Sequence, residues 1–75
     1  MTTQQLQKIA TMAVAQAEGQ PQNWFGYGIR YETKVCFDNG VFTVGDNGDY
    51  ADTDSELDAA DLLVSMWQEE DDARS

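Results

Sequence analysis

The sequence predicts an α+β domain: two helices packed on one face of a small antiparallel sheet, in the order α-β-β-β-α. Three observations predict it. Apolar residues recur at helical spacing near both ends, they alternate with period two across the middle, and Asn39-Gly40 separates two alternating runs as a hairpin turn would. Seventy-five residues, 41% of them apolar, can enclose one small core and no more, so a single domain over 1–75 is expected, with residues 69–75 fraying.

Thr2 followed by Gln5 is a capping box, and Leu6, Ile9, Ala10, Ala13 and Ala17 then fall on one helical face. Gly19 and Pro21 end the helix, which is expected over Thr3 to Glu18. Gln20 to Gly28 is expected to be a loop holding Trp24, Phe25 and Tyr27 between glycines. From Ile29 the period changes to two. Ile29, Tyr31, Thr33, Val35 and Phe37 alternate with Arg30, Glu32, Lys34 and Cys36, as in a half-buried strand. A type I′ turn at Asn39-Gly40 would pair Phe37 with Phe42 and Val35 with Val44. Asp46-Asn47-Gly48-Asp49 repeats the turn chemistry. A two-residue loop there would set Asp46 opposite Asp49, an unfavourable pair, so a longer loop is expected before a third strand beginning at Tyr50-Ala51. Thr53, Asp54 and Ser55 can each cap the second helix, with Glu56 completing a box from Thr53. Its buried stripe is read as Leu57, Ala60, Leu63, Val64 and Trp67.

The charge is one-sided. Twelve of fourteen carboxylates lie between Val35 and Ala73, a span with no lysine, arginine or histidine, and the net charge is −10. Folding does not call for this, because like charges repel in the compact state. Asp54 with Asp58 and Asp58 with Asp61 are like-charge neighbours at helical spacing, each costing roughly 0.2–0.5 kcal/mol. Glu69, Glu70, Asp71 and Asp72 crowd the unfavourable end of the helix dipole. A partner of opposite sign does call for such a surface. Direct binding to nucleic acid or to anionic lipid is disfavoured, and a free monomer is expected. No N-terminal apolar run resembles a signal peptide or membrane span, and the single Cys36 cannot form an internal disulfide; a reducing cytoplasm is expected.

Chemical motifs are sparse. Asp52-x-Asp54-x-Glu56-x-Asp58 imitates a calcium loop, but Leu57 stands at the glycine position and Leu63 where the bidentate glutamate belongs. Without histidine the usual triads are missing, and one cysteine cannot build a zinc site. Gly26-x-Gly28 precedes a strand, not a helix, which weakens a phosphate cradle. No cofactor, metal or enzymatic activity is expected.

The acids themselves are the candidate site. In extended chain, residues two apart lie roughly 6–7 Å apart, so Asp52, Asp54, Glu56 and Asp58 can present charges at a phosphate-like interval. With the turn acids Asp38, Asp46 and Asp49, then Asp61 and the Glu69, Glu70, Asp71, Asp72 cluster, two lines of negative charge are expected. Leu62 and Met66 on the outward face of the second helix either add partner contact or widen the core stripe. Such a surface would enter a lysine-lined DNA channel and exclude the true ligand. The same chemistry suits an inhibitor of a restriction or repair enzyme, or a module for a basic regulator.

The chain also resembles small phage-encoded anti-CRISPR proteins of the kind that mimic DNA against the type I-F surveillance complex. The resemblance is carried by the Gln- and Ala-rich opening helix, Trp24-x-Gly26-x-Gly28 leading to Tyr31, Phe37-Asp38 before a hairpin, Tyr50-Ala51 followed by acids, and the closing Asp72-Ala73-Arg74-Ser75. It implies two helices against an antiparallel sheet. It further implies that the partner is the large subunit and adjoining backbone subunits of a type I complex, where lysines otherwise grip target duplex beside the PAM. The family's acidic C-terminal helix continues past the point where this sequence stops, which leaves type I-C as open as type I-F.

Overall fold

A computed structural model describes residues 1–20, 29–46 and 48–75, together with the backbone of Trp24–Phe25. Helix α1 (Thr3–Glu18) starts on the expected capping box: the Thr2 hydroxyl accepts from the Gln5 N–H, and the Gln5 side chain accepts from the Thr2 N–H at 2.8 Å. Gly19 caps its other end, donating to carbonyls of the last turn; Pro21 lies outside the described residues. Strands β1 (Trp24–Phe25), β2 (Lys34–Asp38), β3 (Val41–Asp46) and β4 (Asp49–Thr53) form one antiparallel sheet in sequence order, and α2 (Glu56–Arg74) closes the chain. The architecture is therefore α+β, with three principal strands between two helices and the two-residue β1 added at one edge. The loop expected over Gln20–Gly28 lies largely outside the described residues; within it, Trp24 and Phe25 pair with Cys36 and Val35 instead of looping.

Both helices cover one face of the sheet. Val35, Phe42 and Val44 point into a core with Leu6, Ala10, Ala13, Val14 and Ala17 from α1 and Ala59, Ala60, Leu63, Val64 and Trp67 from α2. Alanines on both helix faces let the two backbones approach closely. The opposite sheet face carries Lys34, Cys36, Thr43, Tyr50 and Asp52, and there the Tyr50 ring lies across the bare Cα of Gly45. The first hairpin has the expected register: Asn39 and Gly40 both take positive φ, at 53° and 77°, Phe37 pairs with Phe42, and their rings stand 4.5 Å apart.

Four expectations are corrected. The strand begins at Lys34, not Ile29. Tyr31 takes the left-handed conformation (φ 51°), and the Thr33 N–H donates to the Arg30 carbonyl at 3.1 Å, so Arg30–Thr33 is a turn whose side chains serve α2 rather than the ladder. The second hairpin closes on two residues, with Asp46 opposite Asp49 and Gly48 at φ 91°; Asn47 lies outside the described residues. The repulsion foreseen there is relieved because Asp46 turns under α2, where it is 5% exposed, while Asp49 stays in solvent. The box expected from Thr53 to Glu56 is not formed, since Thr53 ends β4; of the three expected caps it is Ser55 that serves, its hydroxyl accepting from the Asp58 N–H. Leu57 falls at the margin of the buried arc in the first turn and is 72% exposed, its expected place taken by Ala59.

The far end of α2 is helical to Arg74 and is fastened to the Arg30–Thr33 turn. Arg30 Nη2 donates to both Asp71 carboxylate oxygens at 2.9 and 3.1 Å, and the Tyr31 hydroxyl donates to the same carboxylate. Trp67 Nε1 donates to the Thr33 hydroxyl at 2.7 Å, which in turn donates to the Arg30 carbonyl. Arg30 and Arg74 each stand 4.8 Å from the centroid of the Tyr31 ring.

Candidate functional site

The seam between edge strand β4 and α2 is an acid-walled trough. At one end a hollow of about 430 Å³ is lined by Asp46, Asp49, Leu62, Ser65, Met66, Glu69 and Glu70. At the other, about 380 Å³ is lined by Asp52, Thr53, Asp58, Asp61, Leu62 and Ser65. Leu62 and Ser65 belong to both hollows, so they are one continuous feature. Along α2, Asp58, Asp61 and Glu69 recur on one helical face; on edge strand β4, Asp49 stands on the helix side and Asp52 on the other side, and both border the trough. Leu62 and Met66 are half-buried against the core, as a widened core stripe would place them, and also form the floor of the trough.

The line of alternating acids expected from extended chain is broken, because α2 already begins at Glu56. Helical spacing replaces it. From Asp58 to Glu69 the axis advances about 16 Å, a length over which duplex DNA carries about ten charges. The trough holds seven carboxylates over a comparable length: Asp46, Asp49, Asp52, Asp58, Asp61, Glu69 and Glu70. With Glu70 paired to Arg74 and Asp46 buried, five exposed unpaired carboxylates remain, about half the charge density of a duplex.

The remaining candidates lie elsewhere. Asp54 is exposed at the β4–α2 junction, next to the trough, and Asp38 is exposed at the tip of the first hairpin. Glu56 faces Glu18 at the end of α1; the Glu18 charge, their shared hydrogen bond and burial hold the Glu56 carboxyl above its ordinary value. Asp71 is engaged by Tyr31 and Arg30, whose hydrogen bonds hold it below the usual carboxylate range, and so offers a partner little. Asp72 lines a separate hollow with Met1, Leu6 and Gln68. Glu70 receives Arg74 Nε at 2.9 Å, which places one cation at the trough's end. Sequence reading missed this brace of Arg30, Tyr31, Thr33, Trp67 and Arg74. Its one visible signal was that both arginines of the chain are far apart in sequence yet near aromatic or acidic clusters.

Asp46 is the odd member. Its carboxyl is held above the ordinary value, first by burial and then by the Glu70 charge, against the opposing Glu32 backbone N–H and Arg74. Between the unfolded and the raised folded value the native state binds more protons than the unfolded chain, so stability falls as pH rises through that window. Asp71 acts in the opposite sense: its contribution is present above its unfolded value and is lost as pH falls through the lowered folded one. Asp46→Asn is therefore expected to raise the neutral-pH melting temperature by a few degrees and to have little effect below the ordinary carboxylate range. Thermal melts of both proteins across pH 3–7.5 check this; parallel curves would remove Asp46 as the source.

Among the described residues there is no cluster of three or more potential metal ligands and no helix long and apolar enough to cross a membrane. No protein-family model, curated protein or solved structure matches the chain.

Proposed function

We propose that this protein is an anionic decoy that occupies a basic DNA-binding channel and blocks duplex binding, with a type I CRISPR surveillance complex, I-F or I-C, as its target. The observation that supports this most directly is the trough: seven carboxylates on two walls, with no lysine or arginine among the lining residues. An acidic surface kept merely for hydration gains nothing from gathering its charges around an apolar floor. A surface that must attract a basic partner and then hold it gains from both features: charge steers the encounter, and Leu62 with Met66 supplies contact area.

Capture of purified type I-F and I-C complexes on the immobilised chain tests this. One of them is expected to bind, to be released by PAM-bearing duplex, and to bind several-fold more weakly as salt rises from about 0.05 to 0.2 M. Capture that duplex leaves undisturbed, or target binding undiminished at saturating protein, overturns it.

A further inference from the structure

One atom of the trough is out of keeping with a hydrated acidic surface. Asp46 is 5% exposed, and its Oδ1 is buried with no hydrogen-bond partner among the described residues. Buried carboxylate oxygens are ordinarily paired, because leaving one unmet forfeits its hydration for nothing. The Glu32 backbone N–H acts on this carboxylate yet leaves Oδ1 unbonded, and Arg74 is spent on Glu70 and on the face of Tyr31. The same residue lines the larger hollow, whose other walls are Asp49, Glu69 and Glu70 and whose floor is Leu62 and Met66.

We propose that this hollow is an arginine pocket, in which a guanidinium from a partner protein donates to Asp46 Oδ1 and to the Glu69 or Asp49 carboxylate while its aliphatic stem lies on Leu62 and Met66. The proposal deepens the decoy reading, resting on the same trough, by naming the side chain that anchors there. Arginine suits it better than lysine. A planar fork with five donors can serve carboxylates on two walls at once, and guanidinium is less strongly hydrated than ammonium, so it enters a half-apolar hollow more readily. The volume of about 430 Å³ falls in the range of small-ligand sites. Met66 is unbranched and half-buried, and can shift to admit the group.

The test needs no partner complex. N-acetyl-arginine amide and N-acetyl-lysine amide are titrated separately into the full ¹⁵N-labelled chain. Arginine amide is expected to shift the amides of Asp46, Leu62, Met66 and Glu69, with lysine amide several-fold weaker. Asp46→Asn should weaken arginine binding about tenfold, whereas Asp38→Asn, the same charge change at the hairpin tip, should leave it within a factor of two. Glu69→Gln gives an independent reading through an exposed wall residue and should lose several-fold. Equal losses in Asp46→Asn and Asp38→Asn, shifts spread over all the acids, or equal affinity for the two amides would overturn the pocket. Those results would leave duplex-displaceable capture untouched, and failure of capture would leave arginine binding untouched, so the two readings fail separately.

Discussion

Replacing Trp67 by alanine is expected to remove most of the stability of this domain. At about 0.05–0.15 kcal/mol per residue, a chain of this size has roughly 4–11 kcal/mol in hand. Trp67 is fully buried in the core that α1, α2 and the sheet share, and is the largest side chain in it. Truncating such a residue costs about 3–5 kcal/mol, the lost transfer energy plus the cavity left behind. The indole also joins the core to the brace, since Nε1 donates to Thr33 and the ring receives Arg30 at 5.9 Å. The expected drop in melting temperature is about 12–40 °C, at roughly 4–8 °C per kcal/mol for a domain of this length. Trp67→Phe separates the two contributions: it keeps most of the apolar bulk and loses the hydrogen bond, for an expected cost of about 1–2 kcal/mol. Urea melts followed by circular dichroism measure both. A loss under about 1 kcal/mol for Trp67→Ala would mean that the core is not organised around this residue.

The elements legible in the sequence were those whose signals are local. The Thr2–Gln5 box, the alternation Val35–Phe37 against Phe42–Val44, and the Asn39-Gly40 turn each depend on residues a few positions apart, and each is in place. The two largest misreadings share one cause, that a distant side chain decides them. Ile29 to Thr33 alternates like strand, but Asp71 and Trp67 recruit Arg30, Tyr31 and Thr33 to a turn 34 to 41 residues away in sequence. Asp46 opposite Asp49 looked untenable because nothing nearby showed that one of the pair would be buried beneath α2. The candidate site was legible in composition and blurred in geometry. Nine of its residues meet in the trough, Leu62 and Met66 among them. Asp38, Asp54, Glu56, Asp71 and Asp72 do not, because composition counts charges and cannot say where the fold places each of them.

That distinction fixes where charge reversal should hurt. A variant with Asp52, Asp58 and Asp61 all changed to lysine is expected to lose capture of the target complex by about a thousandfold, taking roughly a tenfold loss for each contact turned from attraction to repulsion. The fold should survive. All three side chains are exposed, the Ser55 cap uses the Asp58 backbone N–H rather than its carboxylate, and lysine is a good helix former. Lysine at 58 opposes the helix dipole, at about 0.3–1 kcal/mol, while the like-charge neighbours at 58 and 61 keep the same repulsion with its sign reversed. Net stability is therefore expected to move by less than about 1 kcal/mol. The informative control carries as much reversed charge outside the trough: Asp38, Glu56 and Asp72 to lysine. It shifts the net charge equally, and long-range steering predicts only a several-fold slower association for it, erased at high salt. If the two triple variants lose the same affinity at about 0.15 M salt, bulk charge alone governs recognition and the trough has no special standing; if only the first collapses, and mainly through faster dissociation, the arrangement of the acids along β4 and α2 is what the partner reads.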